Sequence, residues 1–577
     1  MHRSREHRVL QRANIFLAMV AIFFLLLGFR LFYLQILQHR KYKALAYRQQ
    51  FRKIPLFPHR GDILSSDQKL LARSIEINSL FAVPKDISDK KKLIYQLSKY
   101  LPFTNDQKER LLQRLQDYRY RNFAWIWRRL DDRTYQKIKA LHLAGIGFEK
   151  EFRRYYPNGR LACHVLGATD IDGNGLEGIE KVFDRELKGK MGFRVVGIDA
   201  LGRHLREDFH QTILPRDGKS VQLTIDSIIQ SKVERELQHL AARWKPRGAC
   251  AVVLSVKDSQ VLALASWPSF DPNHIQDSEK EALRNRAIVD YYEPGSTLKP
   301  FVALSAVLEG VMQFEDAIFC HNGTFRFGPR TIRDTHPYEW LSLSEAIVKS
   351  SNIALSQVGV RLGDKKLREY IQSFGFGKKT GIELPGEEEG KLTSMEKWGF
   401  YTTTSVSMGY EIGVTCLQLA NAYAAMVNGG YLHRPILVKR VYKNSKVVYE
   451  ARPRLIRRVY QRPELTKKIL LILESVVEEG TAKLAKISDY RLGGKTGTAR
   501  RASRKRRGYS GKYLASFVAV APISSPEIVV AVMVDSPTGA IYGGVVAAPS
   551  AAKIAHSTLA YLGVQPDKIL STQTHSN

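Results

Sequence analysis

Tyr292-Glu293-Pro294-Gly295-Ser296-Thr297-Leu298-Lys299-Pro300-Phe301 runs into an apolar stretch, Val302–Leu308, that Gly310 ends. Pro-Gly at the entry and glycine at the exit predict a helix, with Pro300 near enough to the first turn for its missing N–H to matter little. Residues three apart on a helix share a face, so Lys299 is predicted beside the Ser296 hydroxyl. The helix N-terminus adds donors and positive potential where negative charge would develop. A serine hydroxyl is a poor nucleophile until a base takes its proton. Lysine becomes such a base only when burial and a second cation depress its pKa from about 10.4. Alone, the Ser-x-x-Lys spacing is weak, because many helices carry it by chance.

Two further elements strengthen it. Ser350-Ser351-Asn352 lies within Ile347–Ile353, and Lys495-Thr496-Gly497-Thr498 follows Gly493-Gly494 on a predicted strand, Leu492–Ala499. S-x-x-K, S-x-N and K-T-G in this order form a known set for serine acyl transfer. Each residue then has an expected task. Ser296 attacks, Lys299 is the base, Ser350 relays a proton, and Asn352 orients Lys299 and holds a substrate amide. Lys495 supplies positive potential, Thr496 and Thr498 grip a carboxylate, and Gly497 lets a strand edge approach substrate. The N–H groups of Ser296 and Thr498 form the expected oxyanion hole.

Around these motifs, Ile225–Trp244 has the periodicity of an amphipathic helix with Asp226 near its start. Ala249–Val256 and Val261–Ser266 read as strands joined at Lys257-Asp258-Ser259. A helix-rich middle follows, then strands Leu492–Ala499, Tyr513–Ala521 and Ile528–Asp535, and a last helix over Ala547–Leu562. Strands at both ends of the domain with helices between them predict one sheet with helices on its faces. Upstream, helices are expected near Lys90–Leu101 and Asp106–Tyr118. An extended basic stretch with Pro55 and Pro58 is expected after residue 37, and a boundary near residue 218 at Pro215, Asp217 and Gly218.

The 577 residues carry 89 Lys plus Arg against 56 Asp plus Glu, a net charge of +33, which favours polyanions without choosing among them. Ile15–Phe29 holds no charge, and Asn14–Leu37 is long enough, at roughly 36 Å, to cross a bilayer. Ala44-Leu45-Ala46 fits a leader cleavage site, but Arg40, Lys41 and Lys43 separate it from the apolar core, which favours an anchor. Flanking positive charge is nearly balanced, and a short inner tail with a large translocated domain is the simpler arrangement. Cys163, Cys250, Cys320 and Cys416 show no zinc spacing and read as buried thiols, with a Cys250–Cys320 disulfide left open. His164 and His336 read as structural.

Together with their flanks, these motifs closely resemble the class B penicillin-binding proteins over nearly the whole chain. Arg284–Ala287, Phe374–Gly377, Thr380–Glu387, Val414–Ala420 and Asn428–Gly430 carry the likeness in the catalytic half. Arg60–Ile63, Arg154–Pro157, His164–Gly167 and Gly175–Glu180 carry it upstream. The resemblance implies an α+β chain with a single N-terminal transmembrane helix, an elongated non-catalytic pedestal domain, and a transpeptidase domain whose antiparallel five-stranded sheet is flanked by helices. The implied limits are a cytoplasmic tail 1–13, an anchor 14–37, a pedestal 38–218, a transpeptidase domain 219–565 and a flexible tail 566–577. The implied enzyme is a peptidoglycan D,D-transpeptidase with no cofactor or metal. It cross-links stem peptides, is inhibited by β-lactams, and faces the periplasmic side of the inner membrane. Its partners would be a membrane glycan polymerase and division proteins, with no nucleic acid.

The single anchor, Ser407–Tyr410 and Asp199–Arg203 most resemble the septal branch; an elongation-type enzyme or a non-catalytic penicillin-binding sensor is the alternative. No deacylating E-x-x-L-N motif lies between Asn352 and Lys495, which argues against a β-lactamase. Two departures stand out: Ser65-Ser66-Asp67-Gln68 replaces an acid-arginine-asparagine-glycine turn, and Glu411 occupies a position usually held by glycine. Arg500–Arg507 is expected to be a solvated loop, with an anionic lipid or glycan clamp as the other reading. The aromatic residues Tyr120, Phe123, Trp125 and Trp127 are expected to be core on one face.

Overall fold

The computed structural model describes residues 2–198, 204–502 and 509–568. Asp199–Arg203, most of the basic run 500–507 and the polar tail lie outside these residues. The chain separates into two compact units, Met1–Pro58 with Gly189–Asp217, and His59–Lys188 with Gly218–Asn577.

In the first unit the helix His2–Phe32 continues through a π-turn, Tyr33–Leu37. The most apolar 18-residue window within His7–Leu37 has a mean hydropathy of 2.6 and none of that window is buried within the protein, as a span facing lipid requires. The stretch expected to be extended is instead a helix, His39–Gln50, followed by a strand, Phe51–Leu56. Lys, Arg, Ala, Leu and Gln, strong helix formers, make up nine of the eleven residues 40–50, and the prolines restrict only their immediate neighbours. Phe51–Leu56, Gly192–Ile198 and His204–Ile213 form an antiparallel three-stranded sheet in that order.

The second unit holds two large sheets. One runs Lys446–Glu450, Val438–Lys443, Ser220–Leu223, Ile63–Leu64, Leu70–Ala82 and Ala124–Leu130, with Ile146–Tyr155 also paired to Leu70–Ala82. Only its Ile63–Leu64 and Ser220–Leu223 pairing is parallel, and the sheet continues across residue 218. Helices Lys90–Leu97 and Asn105–Gln116 cover part of it, burying Leu93, Leu97, Leu111 and Leu115. Trp127 packs on Phe103 in this core and Arg128 pairs with Glu151 and Asp172, but Tyr120 and Phe123, expected in the core, are exposed, and the buried face of the strand belongs to Ala124, Ile126 and Leu130.

Three of the upstream motifs meet in this unit. Arg60 and Arg154 each pair with Glu180, at 2.6 and 2.5 Å, and Arg60 also reaches Asp184 at 2.7 Å. Gly167 is there because a Cβ would strike the Glu177 carbonyl oxygen at 1.8 Å. The Ser65–Gln68 turn has its own use: the Asp67 carboxylate accepts the Ser227 hydroxyl and N–H at the start of helix Ser227–Trp244.

The other sheet is five-stranded and antiparallel throughout, in the order Val261–Trp267, Gly248–Ser255, Ile528–Asp535, Tyr509–Ala521 and Gly493–Ala502. Both ends of the domain supply it, as the strand texture predicts. Helices Ser227–Trp244 and Ala548–Tyr561 pack against it and each other. Cys416–Val427, capped by a reciprocal Thr415–Gln418 box and buried at every position, packs on Gly248–Ser255 and Ile528–Asp535. All four cysteines are buried free thiols.

Candidate active site

Ser296 lies in a 3₁₀ turn, Gly295–Leu298, that leads into the helix Lys299–Glu309. Buried hydrogen bonds hold this turn. The Thr297 hydroxyl donates to the Pro294 carbonyl at 2.8 Å, and the Tyr423 hydroxyl donates to the Thr297 carbonyl at 2.7 Å. Gly295 has φ +55° and donates its N–H to Gly409, whose own Cβ would meet the Gly295 oxygen at 2.0 Å. Both positions therefore need glycine.

The three sequence elements come together. Lys299 Nζ donates to Asn352 Oδ1 at 2.7 Å, to the Ser350 carbonyl at 2.6 Å and to Ser350 Oγ at 3.3 Å. Lys495 Nζ donates to the same Ser350 Oγ at 3.1 Å. One hydroxyl thus sits between two ammonium groups from a helix and a strand. Both lysines are fully buried, and neither has a carboxylate within ion-pair distance among the described residues. Burial pushes Lys299 down to about 7, against the opposing pull of Asp334. Burial, and then the charge of Lys299, hold Lys495 well below the ordinary lysine range.

The half-buried Ser296 hydroxyl forms no hydrogen bond among the described residues. The expected Lys299–Ser296 contact is therefore not a hydrogen bond in this state, because the ammonium is engaged by fixed acceptors on Ser350 and Asn352. Catalytic contacts of this kind often tighten only with substrate bound.

On the strand, Lys495 pairs in register with Val518 and Gly497 with Ser516. A Cβ on Gly497 would meet Ser516 Oγ at 2.4 Å and the Pro294 oxygen at 2.7 Å. Its missing side chain thus admits the nucleophile turn, a role the sequence reading assigned to substrate. The Thr496 hydroxyl pairs with that of Thr481 at 2.7 Å, and Thr498 Oγ1 accepts the Gly543 N–H at 3.0 Å.

Several contributors escaped the sequence reading. Asp334, Tyr423, Thr481 and Gly543 belong to none of the three motifs and reach the site only through tertiary contact. Glu411 adopts φ +60°, a conformation that suits glycine; its N–H donates to Glu293 at 2.9 Å and its carboxylate accepts the Thr402 hydroxyl. A groove of about 500 Å³ bounded by Arg330, Tyr401, Tyr410 and Tyr509 lies between this loop and the hairpin that leads to Asp334.

Residues 249–556 match the penicillin binding protein transpeptidase domain, and residues 55–223 the penicillin-binding protein dimerisation domain. Stage V sporulation protein D of Bacillus subtilis is 34% identical over 95% of this chain and 85% of its own length. The peptidoglycan D,D-transpeptidase FtsI of Escherichia coli is 32% identical over 88% of this chain and 85% of its own. Penicillin binding protein 3 of Mycobacterium tuberculosis, solved with aztreonam, superposes with a TM-score of 0.70 at 24% identity, covering 89% of this chain and 98% of that one. The chain belongs to the class B penicillin-binding proteins, with a dimerisation domain ahead of a transpeptidase domain.

Proposed function

We propose that Ser296 is the nucleophile through which this peptidoglycan D,D-transpeptidase joins stem peptides. The observation that supports it best is the meeting of two buried, carboxylate-free ammonium groups on one serine hydroxyl, one turn from Ser296. Ser296 Oγ attacks the carbonyl of the penultimate D-Ala, and its proton passes to the neutral Lys299 amine. The C–N bond to the last D-Ala breaks, and the departing nitrogen receives a proton through Ser350 Oγ. An amino group of a neighbouring stem peptide then attacks the ester carbon. The same relay removes that amine's proton and returns one to Ser296, so atoms and charge balance over the two half-reactions.

Asn352 holds the Lys299 amine and a substrate amide, Lys495 keeps the potential positive, and Thr496 and Thr498 receive the substrate carboxylate. The Ser296 and Thr498 N–H groups stabilise the oxyanion. We assign the pedestal to 38–218 and the catalytic domain to 219–565, with that domain on the periplasmic side of the inner membrane. A septal role beside a glycan polymerase and other division proteins is supported by Ser407–Tyr410, by the one helix among the described residues that is long and apolar enough to cross a membrane, and by the likeness to FtsI.

Labelling with a fluorescent penicillin tests the nucleophile. Wild type should form a covalent adduct on the peptide containing Ser296, and Ser296→Ala should form none. An adduct that persists in the variant refutes the assignment.

A further inference from the structure

Asp334 belongs to no motif, yet its carboxylate accepts two hydrogen bonds from the Ser350-Ser351-Asn352 element and a third from the residue after it. It follows the strand Arg330–Arg333 and accepts the Ser351 hydroxyl at 2.5 Å, the Asn352 N–H at 2.5 Å and the Ile353 N–H at 3.1 Å. Beside it, the Arg333 carbonyl accepts Asn352 Nδ2 at 3.0 Å, which leaves Asn352 Oδ1 turned toward Lys299 Nζ.

Ser350 itself has φ +60°. A non-glycine residue held there is strained and persists only when its surroundings fix it. The chain is pinned directly after Ser350 by the Asp334 bonds. That strained conformation is also what presents both the carbonyl and the hydroxyl of Ser350 to Lys299. Capping a helix N-terminus explains the bonds to Asn352 and Ile353. It does not explain why the capped residues are the ones that hold the base, nor why this carboxylate is the opposing charge felt by Lys299.

We infer that Asp334 is a positioning residue for acyl transfer: it locks Ser350 and Asn352 against the Lys299 amine and supplies that amine's counter-charge. The inference rests on the Ser296–Lys299 mechanism above. The other groups that feel the Asp334 charge are Cys320 and Tyr338, and Lys495 joins through Ser350.

The test is the rate of penicillin acylation of the detergent-solubilised full chain against pH, beside its melting temperature, for wild type, Asp334→Asn and Asp334→Glu. Asn removes the charge and keeps the shape. Its plateau should fall roughly tenfold or more, and the rising limb should move to lower pH, because an ammonium without its counter-charge loses its proton sooner. Glu keeps the charge but displaces it, so its limb should stay in place while the plateau falls. An Asp334→Asn limb that coincides with wild type overturns the inference whatever the plateau, since lost packing changes the amount of active enzyme and not its titration. If Asp334→Asn does not fold, a wild-type plateau in Asp334→Glu overturns it. Wild type that fails to label, or Ser296→Ala that still labels, would remove the underlying mechanism instead.

Discussion

Two of the places where the second unit buries charge treat it in opposite ways. In the pedestal, Glu180 is flanked by Arg60 and Arg154, and backbone carbonyls of Gly61, Gly173 and Glu180 take up further N–H groups. Every major charge there has an opposite neighbour. In the active site, Lys299 and Lys495 share the Ser350 hydroxyl and are given only neutral acceptors. Opposite charges in contact fix a geometry; buried like charges with no carboxylate in contact give up a proton more readily. The same burial thus yields a rivet in one place and a reagent in the other.

Breaking the reagent should have the largest effect. Lys299→Met should lower penicillin acylation by roughly 10²–10⁴-fold, the contribution of a positioned base, while leaving the protein folded. Its stability should also lose a pH dependence. Lys299 titrates near 7 when folded, against 10.5 ordinarily. The folded state is therefore penalised fully below about pH 7, and the penalty is relieved as pH rises toward the unfolded value. Wild type should gain up to roughly 1.4 kcal/mol per pH unit from this group between pH 7 and 9, and Lys299→Met should not. Thermal unfolding across that range measures it.

Breaking the rivet should do the reverse. Glu180→Gln leaves two arginines buried around a neutral amide, a loss of about 3–5 kcal/mol, while the fraction that stays folded should acylate at the wild-type rate. Denaturant unfolding beside acylation kinetics separates the two. The smallest effect is expected at Glu411→Gly. Relief of a left-handed φ, about 1 kcal/mol, is set against loss of the Thr402 hydrogen bond, also about 1 kcal/mol. The melting temperature should shift by only a few degrees, and a large drop would show that the Glu411 carboxylate holds Thr402 more firmly than one hydrogen bond of ordinary strength.

Much of this was legible in the sequence because it is local or repeated in register. Periodicity located helix Ser227–Trp244 and the five catalytic strands, and three short motifs located Ser296, Lys299, Ser350, Asn352 and Lys495. What was not legible is what those residues lean on. Asp334 and Tyr423 act across loops and sheets, and no spacing relates them to the residues they hold. The approach of Gly497 to Pro294 was not legible either, because a strand glycine can admit a ligand, a neighbouring backbone or both, and sequence does not say which. Helix His39–Gln50 was not legible because Pro55 and Pro58 follow closely on its nine strong helix formers and make the whole stretch read as extended.

Strand Gly493–Ala502 hydrogen-bonds to a neighbour on one side only, as the last member of its sheet. An open rim of this kind reads any chain by its amides. If substrate binds along this strand, as we propose, a guest that offers a peptide group and an acid at suitable separation would be accepted with little inspection of what hangs from it. Tolerance of varied wall chemistry and susceptibility to compact amide impostors are then the same property, and a substitution that narrowed one would narrow the other.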